Sequence, residues 1–173
     1  EIKDHNMLKQ LKTILLTAVF TFLTACGFQF QNGGLIPPAL QTLTLESSDP
    51  YSEMTLTLRK ELQLNNIHLV EGQANIPVLR LNKITMHDQV ASIFKQGREA
   101  EKMLILEVEA MVKLPNQAAF PISTKVNRTF FDNSRAALAK SAEKEVIWHD
   151  MREQAARQLI NKMVALQHQV QTK

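Results

Sequence analysis

The sequence predicts an α+β fold, a two-layer sandwich in which two helices cover one face of a mostly antiparallel, four-stranded sheet. Four segments alternate apolar and polar residues as strands do, and two carry apolar residues at the spacings of three and four that define a helix face. Their order along the chain is β-α-β-β-β-α. Three successive strands with short links imply an antiparallel meander. Two apolar helix faces packed on one sheet face then give the two layers.

The first strand and the first helix open the predicted domain. Residues 41–46 alternate polar and apolar side chains and include β-branched residues, which predicts a strand with one buried face. Asp49 followed by Pro50 is typical of a helix N-cap with proline at the first helical position. Asn65 and Asn66 are expected to end this helix. Its apolar face consists of Tyr51, Met54, Leu58 and Leu62.

The second strand contains an irregularity. Its apolar residues change parity between Leu81 and Ile84, so we expect one extra residue, a β-bulge, near residues 82–83. The strand is expected to run to Phe94, where residues 95–98 (KQGR) supply a turn.

The third and fourth strands follow strict even parity. Apolar residues recur at every second position from Leu104 to Leu114, and again from Phe120 to Phe130 after a turn at Pro115. Residues 132–134 (DNS) are expected to break the fourth strand. The even-numbered side chains should therefore face the core.

A long amphipathic helix is predicted to close the domain. Ser141 is its expected N-cap, after a linking segment that includes Lys140. Its apolar face consists of Ile147, Met151, Ala155, Leu159 and Met163.

The N-terminal region has the order of a secretory signal. Lys9 and Lys12 precede an apolar run over residues 14–23, and small residues precede Cys26, the only cysteine. About ten helical residues span roughly 15 Å, half of a bilayer's hydrocarbon core, so the run should not remain as a transmembrane anchor. Residues 1–6 precede Met7 and are expected to be non-native.

Residues 23–26, Leu-Thr-Ala-Cys, resemble the lipobox of bacterial lipoproteins. The resemblance implies that the Cys26 sulfur receives a diacylglyceryl group and that cleavage makes Cys26 the first residue. Two or more acyl chains give a lasting membrane anchor. The alternative is an ordinary buried thiol after an apolar helix. In such lipoproteins, an aspartate directly after the cysteine retains the protein at the inner membrane. This sequence has Gly27 at that position, so the expected location is the outer membrane, at its periplasmic leaflet.

These observations define the predicted domains. Residues 1–25 form the signal, residues 26–40 the lipidated N-terminus and a tether, residues 41–168 a single α+β domain, and residues 169–173 a C-terminal tail. Whether Phe28 and Phe30 join the sheet is left open.

The composition without the signal argues against some classes of partner. The remaining 148 residues contain 17 basic and 15 acidic residues, which is too balanced for a general nucleic-acid binder, so no nucleic-acid partner is expected. They suffice for one domain with its own core.

No catalytic or metal-binding pattern emerges. The five histidines form no close ligand pair and G-x-S-x-G is absent, so we expect no metal, no cofactor and no enzyme activity. Glu107 and Glu109 share one strand face and could mimic catalytic carboxylates. Strand alternation alone accounts for two glutamates on one side, as part of a solvated or partner-facing sheet surface. The position of Asp132 in a predicted turn likewise accounts for an acidic residue there.

The segment PISTKVNRTFFDNSRAALAKSAEKEVIWHDMREQAARQLINKM, residues 121–163, resembles the LptE family of LPS-assembly lipoproteins. The family carries a P-I-S-x-K-V-x-R-x-F-F-D-N segment, an A-L-A-K step and a helix with A-A-x-Q-L-I. The likeness extends to residues 26–27, 62–69, 79–81 and 91–97.

The resemblance implies a non-enzymatic outer-membrane lipoprotein that plugs and helps assemble the lipopolysaccharide-export β-barrel, LptD, and binds lipopolysaccharide for delivery to the cell surface. Its expected partners are therefore this barrel, lipopolysaccharide and, through the lipid anchor, the membrane. The alternative is a cell-envelope lipoprotein enzyme or adaptor that acts on another envelope partner. Co-purification with a large β-barrel would separate the two.

The resemblance also implies lipopolysaccharide-binding residues. Lys95 matches the basic residue of the family's S-x-F-[RK]-x-G turn, and Lys140 matches the lysine of A-L-A-K. A lysine at position 95 keeps the charge but cannot bind a phosphate through two parallel hydrogen bonds as arginine does. Arg98 is expected to compensate for this loss. Charged turn residues are common on surfaces, so the alternative is that these are ordinary solvated side chains.

Overall fold

The computed structural model describes residues 36–93, 99–133 and 137–171, all within one compact unit, Gly33–Lys173. After a short 3-10 turn at Pro38–Leu40, the described residues form five strands and two helices: β1 (Thr42–Ser47), α1 (Glu53–Leu64), β2 (His68–Leu69), β3 (Val78–Ile93), β4 (Glu99–Lys113), β5 (Ala119–Asn133) and α2 (Ala137–Gln171).

The sheet has five strands in the order β2-β1-β3-β4-β5. Strands β3, β4 and β5 form the predicted antiparallel meander, whereas β1 runs parallel to both of its neighbours. The α+β prediction is confirmed, but the prediction of four strands is wrong because β2 was missed. That strand is two residues long, so it shows no periodicity that a sequence could reveal.

The N-cap of helix α1 lies three residues after the predicted one. Its N-cap is Ser52, whose Oγ accepts a hydrogen bond from the Thr55 backbone N–H at 3.3 Å. Asp49 instead stabilises the preceding turn, because its Oδ1 accepts from the Tyr51 backbone N–H. The C-terminal prediction is confirmed: Asn65 is the C-cap, and Asn66 takes the left-handed backbone conformation, φ 59°, that asparagine tolerates.

The meander contains two irregularities. The register between β3 and β4 shifts between Leu81 and Lys83, which confirms the predicted bulge, and shifts again between Val90 and Ser92. Strands β4 and β5 instead pair without interruption. The turn between them places Asn116 at φ 59°.

The core lies between the sheet and the helices. The even-numbered apolar residues of β4 and the α2 residues predicted to face inward meet in one buried cluster, and these include Leu104, Leu106, Val108, Met151, Ala155, Leu159 and Met163. Helix α2 starts at Ala137 rather than after a cap at Ser141. Residues 137–140, ALAK, are all strong helix formers, so the helix extends to include them.

Ion pairs join the two helices. The buried guanidinium of Arg152 pairs with Glu53, and Lys60 Nζ lies 3.2 Å from Glu153 Oε1. The hydrogen bond from Lys60 is the main reason that the pKa of Glu153 is lowered. Within the described ranges, neither helix carries an apolar stretch long enough to cross a bilayer.

Candidate functional site

Lys140 lies in the first turn of α2, where the helix passes over strand β5. Its Nζ is 5.4 Å from the ring centroid of Phe130 and 2.7 Å from Glu143 Oε2, and its side chain is 25% exposed. An ammonium over an aromatic face is attracted by the ring quadrupole. The structure thus holds Lys140 in place with part of its surface open to solvent.

Two further lysines lie near this end of the meander. Lys102 on β4 forms an ion pair with Asp132 on β5, with 2.6 Å between Nζ and Oδ2, and lies 3.9 Å from Asp88 on β3. Lys144, one turn beyond Lys140, lies 3.4 Å from the other oxygen of Asp88. We call these groups the distal lysine cluster; it comprises Lys102, Lys140, Lys144, Asp88, Asp132 and Glu143.

Strand register explains why these residues share one face. Val90 pairs with Lys102, and Lys102 pairs with Phe130, so the three form one row across β3, β4 and β5. Directly paired side chains lie on the same side of a sheet. Because Phe130 lies under Lys140 of α2, the whole row is on the helix-covered face.

The carboxylate partners change the acid–base properties of the cluster. The hydrogen bond with Asp132 is the main reason that the pKa of Lys102 is raised, and the negative charge of Asp88 adds to it. Lys102 therefore stays protonated throughout the physiological pH range, as an ion-pair donor must.

Apolar side chains are exposed beside the lysines. Val90 is 55% exposed although it pairs with Lys102, and Met86, four residues earlier on β3, is 41% exposed. Exposed methyl and thioether groups beside ammonium groups form an amphipathic surface. Such a surface suits a ligand that has both anionic and hydrocarbon parts.

Several residues predicted to function fall outside the described part of the chain. Cys26, Lys95 and Arg98 are among them. Phe28 and Phe30, for which membership of the sheet was left open, also lie outside the described residues. The segment with Lys95 and Arg98 connects β3 to β4, whose paired ends are near Val90 and Lys102. Of the predicted lipopolysaccharide-binding residues, the structure describes Lys140.

Sequence reasoning missed Lys102, Lys144 and Asp88, and it placed Asp132 in a turn, whereas Asp132 lies in β5. Lys102 continues the even series of Leu104 and Leu106, so parity could have placed it on the helix-covered face. The face of Asp88 depends on the bulge between Leu81 and Lys83, since one extra residue reverses every later side chain of the strand.

Glu107, one of the two strand carboxylates that could mimic a catalytic pair, forms an ion pair instead. Lys125 Nζ lies 2.6 Å from Glu107 Oε1, and this hydrogen bond is the main reason that the pKa of Glu107 is lowered. A carboxylate stabilised in its charged form is a poor general acid at neutral pH. Within the described ranges, no three histidine, aspartate or glutamate side chains come together as metal ligands.

The described residues define a class of protein. A small α+β domain presents an open surface of paired lysines and exposed apolar side chains on the helix-covered face of its meander. An amphipathic surface of this kind is typical of a binding module whose ligand has anionic and apolar parts.

The chain belongs to the LptE family, described as Lipopolysaccharide-assembly, whose profile matches residues 40–163. It is 38% identical over 161 residues to the LPS-assembly lipoprotein LptE of Photorhabdus laumondii, covering 92% of this chain and 88% of that protein. It is 41% identical over 156 residues to the protein of that name from Yersinia enterocolitica, covering 88% and 75%. These names agree with the prediction of a non-enzymatic lipoprotein.

Solved structures show the same architecture. Rare lipoprotein B from Shewanella oneidensis is 37% identical, with a TM-score of 0.70, over 75% of this chain and 98% of that chain. A minor lipoprotein from Acinetobacter baumannii is 16% identical, with a TM-score of 0.60, over 74% and 93%. The second likeness is evidence for the fold alone.

Proposed function

We propose that this protein is an outer-membrane lipoprotein that plugs and helps assemble the lipopolysaccharide-export β-barrel, LptD, and binds lipopolysaccharide for delivery to the cell surface. Membership of the lipopolysaccharide-assembly family supports the general role. The observation that carries the lipid-binding part is the placement of Lys140, over the Phe130 ring and on the same sheet face as the exposed Val90.

The membrane anchor is the first component of this proposal. Residues 1–25 are removed as an export signal, Cys26 is lipidated, residues 26–40 include the tether, and residues 41–168 form the working domain. Anchoring at the periplasmic leaflet confines the domain to the surface that holds the barrel. This raises its effective concentration there without any new contact.

The lipid-binding site is the second component. Lys140, Lys95 and Arg98 supply positive charge for the phosphates of lipid A and its inner core, while Val90 and Met86 supply apolar contacts. An ammonium already held over an aromatic ring loses less conformational freedom on binding than a free lysine side chain.

The sheet face opposite the helices is the third component. Its exposed side chains include Lys83, Glu109, Lys125 and Asn127. The lumen of an outer-membrane barrel is polar, so this mixed charged and amide surface is compatible with a position inside one.

A detergent pull-down from cell envelopes tests the proposal. The lipidated protein, the Lys140→Asp variant and the Lys95→Asp, Lys140→Asp double variant would each be captured and probed for the barrel and for lipopolysaccharide. Lys113→Asp, the same charge reversal at the opposite end of β4, is the control.

We expect the barrel with every form, and less lipopolysaccharide with the two Lys140 variants than with the wild type or the control. Equal lipopolysaccharide in all forms would refute the assigned residues. Absence of the barrel from the wild-type sample would refute the barrel partnership itself.

A further inference from the structure

The distal lysine cluster contains more basic groups than Lys140 alone, and each is held by a carboxylate of the same chain. Lys140 pairs with Glu143, Lys102 with Asp132, and Lys144 with Asp88. These six side chains come from β3, β4, β5 and α2, so only the folded chain brings them together.

The ion pair that involves Asp88 is loose. The Nζ–oxygen distances, 3.4 Å to Lys144 and 3.9 Å to Lys102, exceed the 2.7–2.9 Å typical of a charge-assisted hydrogen bond. One carboxylate therefore neutralises two ammonium groups without a close hydrogen bond to either. Each ammonium has three N–H donors, so both lysines keep donors for another acceptor.

A phosphate is a stronger acceptor than the carboxylates it would replace. A phosphomonoester carries a charge of about −1.5 to −2 and three acceptor oxygens, against one charge and two oxygens for aspartate. The cluster has three positive and three negative side chains, so it should attract anions only weakly at a distance. A ligand gains most if it contacts several lysines at once.

We infer that Lys102 and Lys144 are further phosphate-binding residues, held ready by Asp88 and Asp132, and that they exchange these carboxylates for the phosphates of a lipid headgroup that carries at least two. This inference rests on the proposed function and specifies its ligand. The exposed Val90, paired across the strands with Lys102, gives the adjoining apolar surface for the lipid's hydrocarbon part.

The inference predicts opposite effects on binding for replacing an acidic residue of the cluster and for replacing a basic one. Asp88→Asn removes the carboxylate that competes for two lysines, so it should strengthen binding, whereas Lys102→Gln and Lys144→Gln each remove a phosphate partner and should weaken it. A merely structural role for these ion pairs would make all three variants bind alike or worse than the wild type.

The experiment measures the apparent Kd of the full-length lipidated protein for fluorescent lipid A with two phosphates, at a fixed detergent concentration. Monophosphoryl lipid A is the matched ligand. The matched variants are Lys60→Gln and Glu153→Gln, which disrupt an ion pair of similar length, 3.2 Å, between the two helices and outside the cluster. Thermal unfolding of each variant establishes that it is folded. Lys144 is partly exposed and makes only the loose 3.4 Å pair, so its substitution should disturb the fold least.

We expect Asp88→Asn to tighten binding of the two-phosphate lipid, and Lys102→Gln and Lys144→Gln to weaken it, each by about threefold to fivefold, as for a partly exposed charge pair. The effects should be smaller for the monophosphoryl lipid and absent in the two matched variants. Binding by the wild type with no difference between the cluster variants and the matched variants would overturn this inference and leave the proposed function in place. No binding by the wild type would overturn both.

Discussion

Replacing Leu159 by alanine tests whether α2 packs on the sheet as described. Leu159 is fully buried in the core cluster, and the substitution removes three carbon atoms. At about 0.8 kcal/mol per methylene, plus the cost of the cavity left behind, the free energy of unfolding should fall by about 3–4 kcal/mol. With a urea dependence of about 1.5 kcal/mol per molar, the midpoint should fall by about 2 M.

The matched control is Leu138→Ala, the same change in the same helix at a side chain that is 90% exposed. It should alter the free energy of unfolding by less than about 0.5 kcal/mol. Urea unfolding can be followed by the fluorescence of Trp148, the chain's single tryptophan, which is buried in the same cluster. Equal midpoints for the two variants would refute the placement of α2.

Three further predictions concern local features. Ser52→Ala removes the cap of α1 and should cost about 1 kcal/mol of unfolding free energy, whereas Ser52→Gly should cost only a few tenths; equal losses in urea titrations would contradict the cap. Asn116, at φ 59°, should tolerate glycine but lose about 1 kcal/mol on replacement by alanine, as thermal unfolding of the two variants would reveal. Glu153 has a lowered pKa, mainly through the hydrogen bond from Lys60, so its stabilising effect is present above the unfolded-state pKa of about 4.3 and is lost as the pH falls through the folded-state pKa. Glu153→Gln should therefore lose less stability than the wild type in urea titrations between about pH 5 and pH 3, and parallel losses would contradict the ion pair.

Local patterns in the sequence were enough to predict most of the elements. The even parity of β4 placed Leu104, Leu106 and Val108 in the core, and the parity change after Leu81 located the first bulge. Both signals come from the two-residue period of a strand, which burial on one side imposes directly on neighbouring residues.

The same local rules failed where two neighbouring signals competed. Asp49 and Ser52 are both good N-cap residues, and only the structure places Ser52 at the cap and Asp49 in the turn before it. Strand β2 has two residues, a single period of alternation, which is too short to form a recognisable pattern, so its parallel pairing with β1 was not visible.

The candidate site, too, could be predicted only in part from the sequence. Resemblance to a family pointed to Lys140, and the folded chain places this lysine over Phe130. The partnership of Asp88 with Lys102 and Lys144 depends on strand register, on a bulge and on the path of α2 across the sheet.

The sequence by itself therefore determined the α+β class, the meander, the core face of its strands and the apolar face of the long helix. Each of these follows from the spacing of apolar residues that are close together in the chain. Only the tertiary structure decided the five-strand order, the parallel pairing of β1 and the ion pairs of the distal lysine cluster. These depend on contacts between segments far apart in the chain, and local periodicity carries no information about which distant segments meet.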